Sequence, residues 1–208
     1  MSDDAPVDES KRATLRRFAA LGAAGSLTKL AGEAAAEPDD EGSSEVRDAI
    51  RGYLSRTPGA HFSKLRDDLK LGTGETQHHL RQLVRSGRIE SHRDGDYRRF
   101  FPAGQFSSFE QTALGYLRRP TPRGMLIELL RDPAATGRDL ADALDVSRAT
   151  VSKYAGELED VGLIARDDGY AVREPETVLV LVVRYADSFD DRAAEFAAEA
   201  DEFVGYDE

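Results

Sequence analysis

From position 147 the chain reads Ser-Arg-Ala-Thr-Val-Ser-Lys-Tyr, short hydroxyl donors and two cations interleaved with small and apolar residues. With Val151, Ala155 and Leu158 turned inward at helical spacing, Arg148 and Lys153 point outward, where they can pair with guanine edges or phosphates. Ser147, Thr150 and Ser152 are short donors near a helix N-terminus, where the helix dipole favours phosphate. An upstream run, Gly72-Thr73-Gly74-Glu75-Thr76-Gln77-His78-His79-Leu80, varies the same theme. Thr73, Gln77, His78 and Arg81 fall on the face opposite Thr76, Leu80 and Leu83, and a glutamine amide can pair bidentately with adenine. Arg93, Arg98 and Arg99 flank the turn Asp94-Gly95-Asp96 and suit backbone or minor-groove contacts. Any single one of these arginines also reads as a solvated surface charge; as a basic group they point to nucleic acid.

The elements that must hold these residues occur twice. At an offset of 75 positions, Leu65 falls on Leu140, Leu69 on Leu144, Leu71 on Val146, Leu83 on Leu158, Gly87 on Gly162 and Ile89 on Ile164. In the first copy Val46, Ile50, Tyr53 and Leu54 mark a core helix behind a Ser43/Ser44 cap, ended by Pro58-Gly59. Ser63 is placed to cap a short helix bearing Leu65 and Leu69. The turn at Leu71-Gly72-Thr73-Gly74, with glycine supplying backbone freedom, leads to a second helix that Gly87 ends. Two short strands around Asp94-Gly95 then form a hairpin. In the second copy Met125, Leu126, Leu129 and Leu130 line a helix, Thr136 caps the next, and Ser147 caps the helix of Val151 and Leu158. A hairpin follows around Asp168-Gly169. Helix, tight turn, helix and hairpin is the arrangement that lays one helix in the major groove.

The run at 147–154 closely resembles the start of the recognition helix in ArsR-type and MarR-type winged-helix regulators. The repeat is similar to the double winged-helix transcription regulators common in haloarchaea. The resemblance covers roughly residues 44–173. It implies a sequence-specific double-stranded DNA-binding regulator whose groove-reading helices lie at about 73–86 and 147–161. Glu75 departs from the neutral residue many members carry at a groove-facing position. The expected fold is mainly α with small β-hairpin wings (α+β): two tandem winged helix-turn-helix units and a long C-terminal helix. Expected boundaries are a flexible acidic tail over 1–42, a first unit over 43–102, a linking helix over 103–119, a second unit over 120–173 and the C-terminal helix over 174–208.

Charge bears on the partner. The formal net charge is -11, yet residues 46–101 carry 12 Lys/Arg against 7 Asp/Glu, while residues 186–208 carry 1 against 9. The first unit is locally basic, as phosphate attraction requires. Overall acidity instead favours the alternative reading, a protein-interaction adaptor that uses winged helices without DNA. Only 5 of the 28 basic residues are lysine and 22 of the 39 acids are aspartate, which fits a surface hydrated in molar salt.

Other chemistries are poorly served. Without cysteine there is no disulfide, thiolate zinc site or thiol nucleophile. Neighbouring His78 and His79 diverge by about 100° on a helix and do not converge on one ion with His61 or His92. No catalytic triad, phosphate loop or recognisable acid pair is present, so neither enzyme activity nor a cofactor is expected. No apolar run spans a bilayer. Arg16-Arg17 invites comparison with a twin-arginine export signal, but the apolar pair is missing and Lys29 interrupts the stretch, so a cytoplasmic location is expected. Along the C-terminal segment Leu179, Val182, Ala186, Phe189, Ala193, Phe196, Ala200 and Phe203 alternate in steps of three and four. That seam, with Leu179, Val182, Phe189, Phe196 and Phe203 as its large residues, can pack against a second subunit or back onto the chain's own domains, and the small alanines favour a homodimer contact.

Overall fold

The computed structural model describes residues 9–23, 40–167 and 169–200. The expectations for positions 1–8 and 24–39 of the tail, for Asp168 in the second hairpin turn and for positions 201–208 of the C-terminal helix, Phe203 among them, lie outside the described residues. The chain divides into two compact units, 1–106 and 107–208.

The first unit opens with α1 (Glu9–Ala23) and α2 (Asp40–Arg56), followed by β1 (Ala60–His61), α3 (Phe62–Asp68), α4 (Thr73–Arg85), β2 (Ile89–Asp94) and β3 (Tyr97–Pro102). The strands form one antiparallel sheet in the order β1-β3-β2, with Ala60 opposite Phe100 and His92 opposite Arg99. Ile50 and Leu54 of α2, Leu65 and Leu69 around α3, Leu80 and Leu83 of α4 and Ile89 of β2 close the core. Each such side chain contributes roughly 1.5–3 kcal/mol on burial.

The second unit contains α5 (Ser108–Leu117), α6 (Pro120–Arg131), α7 (Gly137–Leu144), α8 (Arg148–Asp160), β4 (Ile164–Ala165), β5 (Ala171–Val172), α9 (Pro175–Tyr185), a 3-10 turn (Ala186–Ser188) and α10 (Asp191–Ala198). Met125, Leu126 and Ile127 of α6 are fully buried at its centre.

Around α4 and α8 the two copies match closely in backbone terms. Helices α4 and α8 each have 13 residues, and their N-caps Gly72 and Ser147 share φ -70 with ψ 153 and 151. Before each helix the chain leaves α3 or α7 through a left-handed residue, Lys70 at φ 54 and Asp145 at φ 52. Leu71 N–H then bonds Arg66 O at 2.9 Å, and Val146 N–H bonds Ala141 O at 3.1 Å. After each helix Gly87 (φ 64) and Gly162 (φ 75) turn the chain, where a β-carbon would be strained. Arg88 N–H to Leu83 O and Leu163 N–H to Leu158 O complete the matching closures.

Ser43 and Ser44 lie inside α2, which begins at Asp40, and do not cap it. Five further expectations need correction. The left-handed residue of the first turn is Lys70; Gly72 sits in ordinary extended backbone as a helix cap. The cap of α3 is His61, whose Nδ1 accepts Lys64 N–H at 3.3 Å, and Ser63 lies inside the helix. Part of the 1–42 tail is ordered: α1 buries Leu15 and sets Phe18 edge-on to Tyr53 at 5.4 Å. The helix expected as a link is α5, which buries Ala113 to Leu117 within the second unit and so belongs to its core.

The fifth correction concerns the C-terminus, where the long helix is broken. Phe189 leaves helical space at φ -103, ψ -104, and Asp190 starts afresh by accepting Ala193 N–H at 3.1 Å. Arg123, itself 4% exposed, grips the Asp190 carboxylate with two of its nitrogens. Val182 and Phe196, read as seam residues, are fully buried in the second unit. Phe189 is half-buried beneath the guanidinium groups of Arg118 and Arg123, 4.4 and 5.6 Å from its ring centre. Leu179 is half-buried. Spacing of three and four marks an inward stripe without saying whose core receives it.

Candidate nucleic-acid interface

Helix α4 presents Thr73, Gln77, His78 and Arg81 to solvent, all on its outer face, while Thr76, Leu80 and Leu83 lie within 4% exposure. The same face carries Gln82, which accepts a bond from Arg47 at 3.3 Å, and Arg85. The sequence reading omitted Arg85, although Gln77, Arg81 and Arg85 follow the four-residue spacing of one helix face. These three, with Thr73 and Arg98 of β3, rim a groove of about 540 Å³ floored by Phe62, Leu80, Val84 and Phe100. The arrangement offers guanidinium groups above an apolar floor, suited to an anionic, ring-bearing polymer.

Glu75 is not an outward carboxylate. Gly72 has no side chain with which to cap α4, and Glu75 turns back instead, accepting Gly72 N–H at 3.0 Å. Its other partner is Lys11 of α1, at 3.0 Å. Burial alone would raise its pKa, but the Gly72 N–H and Lys11 outweigh it and the net shift is downward. His79, next to the outward His78, faces inward at 7% exposure, and its Nδ1 has no hydrogen-bond partner among the described residues. Burial above all, then His78, lowers its pKa.

The three wing arginines separate. Neighbours on a strand point to opposite faces, so Arg98 and Arg99 cannot both face out. Arg98 is exposed, with Nε donating to Ser91 Oγ at 2.9 Å and its guanidinium over Phe100. Arg93 is also exposed. Arg99 is 2% exposed; it pairs with buried Asp94 and donates to Gly59 O at 3.0 Å. The structure therefore removes Arg99 from the contact set and makes it a core strut.

Helix α8 exposes Arg148, Ser152 and Lys153 opposite buried Val151, Ala155 and Leu158. Lys153 stands 3.8 Å from Glu157 one turn on, a weak exposed pair. Ser147 and half-buried Thr150 serve the helix start: Ser147 Oγ accepts Thr150 N–H at 3.0 Å and lies 2.9 Å from its hydroxyl. No group of three or more His, Cys, Asp or Glu side chains suited to a metal ion occurs among the described residues. No described helix is long and apolar enough to cross a membrane.

Comparison with known proteins agrees with this geometry. Residues 44–114 match a family of N-terminal HTH domains, and residues 118–165 match a family described as winged helix-turn-helix DNA-binding. No solved structure matches. An uncharacterized HTH-type transcriptional regulator from Methanocaldococcus jannaschii is 27% identical over 126 residues, covering 60% of this chain and 32% of that protein. The chain thus spans about a third of that relative's length. On fold and on both matches, the chain carries two helix-turn-helix domains of the DNA-binding kind, the first match ending eight residues into the second compact unit and the second match lying wholly within it.

Proposed function

We propose that this chain is a cytoplasmic, non-enzymatic transcription regulator that binds double-stranded DNA by laying α4 and α8 in the major groove. The observation that carries the reading is the repeated frame. Two helices of 13 residues, entered and left through matching backbone turns, each keep polar and cationic side chains outward. Thr73, Gln77, His78, Arg81 and Arg85 would read for the first unit, Arg148, Ser152 and Lys153 for the second, with Arg93 and Arg98 on the backbone. The tandem repeat and the Ser147-to-Tyr154 run support a place among the ArsR/MarR-like double winged-helix regulators of haloarchaea. Its lysine-poor, aspartate-rich charge supports work in molar salt.

A homodimer completes the proposal. With Val182 and Phe196 committed to the core, we assign the partner contact to the outer side of α9, where Val180 is 56% exposed beside half-buried Leu179 and Val183. A two-fold pair would suit a palindromic site.

The test is fluorescence anisotropy of the full chain against duplex DNA, with the best sites chosen from genomic fragments. Arg148→Ala with Lys153→Ala should weaken binding by roughly 1–3 kcal/mol while leaving the fold intact. Wild-type affinity in that double variant would remove α8 from the reading.

A further inference from the structure

A helix that approaches phosphates gains nothing from a carboxylate in its first turn, and α4 has one in Glu75. What happens to that charge depends on a helix outside both family matches, which begin at residue 44. Lys11 of α1 donates to both Glu75 oxygens, at 3.2 and 3.0 Å, across 64 positions of sequence. Neither side chain is fully wet, at 31% and 32% exposure. Helix α1 meets the same turn again through Lys70, whose ammonium donates to Ser10 Oγ. Buried Leu15 and the Phe18–Tyr53 ring contact fix α1 against α2. An exposed surface pair with no such scaffold would be lost to entropy and screening.

We propose that α1 is a working part of the first DNA-reading unit, with Lys11 the positioning residue that neutralises Glu75 and so sets the affinity of α4 for the phosphate backbone. The inference rests on the reading that α4 enters DNA. Glu75 closes the helix start at Gly72, where no side-chain cap exists, so in this chain its charge has to be cancelled in place. Lys11 does this from behind the reading face. The arrangement also makes α1 a dependency of the unit: a chain whose first helix is displaced presents a bare carboxylate to the duplex.

The test compares full-length wild type, Lys11→Gln, Lys11→Arg, Glu75→Gln and the Lys11→Gln/Glu75→Gln double variant. Each is titrated against duplex DNA over a salt series, and its urea midpoint is recorded. Lys11→Gln should bind about fivefold more weakly at the lowest salt that keeps the fold, the equivalent of ~1 kcal/mol, with the deficit shrinking as salt rises. Lys11→Arg should bind like wild type. The double variant should return to within about twofold of wild type, because the glutamine amide oxygen still accepts Gly72 N–H while the repulsive charge is gone. A purely structural role would leave the double variant as weak as Lys11→Gln, and that result overturns the proposal. Unchanged binding by Lys11→Gln overturns it too. If wild type fails to bind duplex DNA at all, the functional reading falls and takes this inference with it.

Discussion

Lys70 and Asp145, 75 positions apart, hold the same left-handed backbone conformation, φ 54 and φ 52, at the same point of the repeated turn. Neither is glycine, so both copies carry strain there. Lysine has no local way to relieve it, whereas a short acidic side chain tolerates the region better. Left-handed backbone costs roughly 1–2 kcal/mol for an L-residue, and glycine's greater freedom when unfolded returns part of that. Lys70→Gly should therefore stabilise the first unit by a net ~0.5–1 kcal/mol, read as a higher urea midpoint, and Asp145→Gly should do less for the second. Domain-specific hydrogen exchange would report both. A Lys70→Gly chain less stable than wild type would show that the Ser10 contact outweighs the strain.

The two neighbouring arginines of β3 should behave in opposite ways. Arg99→Ala removes the buried guanidinium that pairs with Asp94 and donates to Gly59 O, and should cost the first unit about 3–5 kcal/mol. Arg98→Ala should leave stability within roughly 0.5 kcal/mol, as for an exposed site, and lower DNA affinity. Thermal melts joined to binding curves distinguish them; matched effects in both variants would contradict the inward and outward assignment.

The C-terminal residues separate the same way. Phe196→Ala should destabilise the second unit by ~3–5 kcal/mol, as expected for a fully buried phenylalanine. Val180→Asp should leave folding unchanged and yield a monomeric mass in light scattering, if the outer side of α9 holds a second chain. A dimer that survives Val180→Asp places the contact elsewhere.

Acid should weaken the first unit before the second. Burial, chiefly, lowers the pKa of His79 and of His61 below the ordinary histidine value. Lys11, Arg47 and His78 push His79 the same way against Glu75, while Arg99 and Lys64 push His61 against Asp67 and Asp68. A lowered folded-state pKa means that the unfolded chain takes up protons first. The stability is complete above the unfolded value near ~6.5 and is lost as pH falls through the depressed folded values. Protonation of His61 Nδ1 would also remove the cap on Lys64 N–H. Urea midpoints measured at neutral and at mildly acidic pH should fall in wild type and flatten in His61→Asn/His79→Gln. A wild-type midpoint that holds steady or rises on acidification refutes this.

What the sequence disclosed was the periodic part. Leu80 and Leu83, Val151 and Leu158, and the glycines after each helix were legible because burial and turning chemistry leave marks on residue type. Caps with a side chain, Thr136 and Ser147, were legible for the same reason. Polar residues gave less away. Arg98 and Arg99 are identical in type, and only strand phase sends one outward and the other into the core. Glu75 read as a groove residue because its partner stands 64 positions earlier, in a stretch without motifs. The heptad-like run after Pro175 hid a stop signal: Asp190 caps a new helix, and three-and-four spacing continues through such a break without a visible fault.

The shared frame of α4 and α8 makes their outer faces exchangeable. Every backbone bond by which the chain enters and leaves one has its counterpart in the other, so the outer residues are decoupled from the scaffold that carries them. Grafting Arg148, Ser152 and Lys153 onto positions 73, 77 and 78 would rewrite what the first unit reads without asking its core to refold. That freedom is open to an engineer who wants a regulator with a new address.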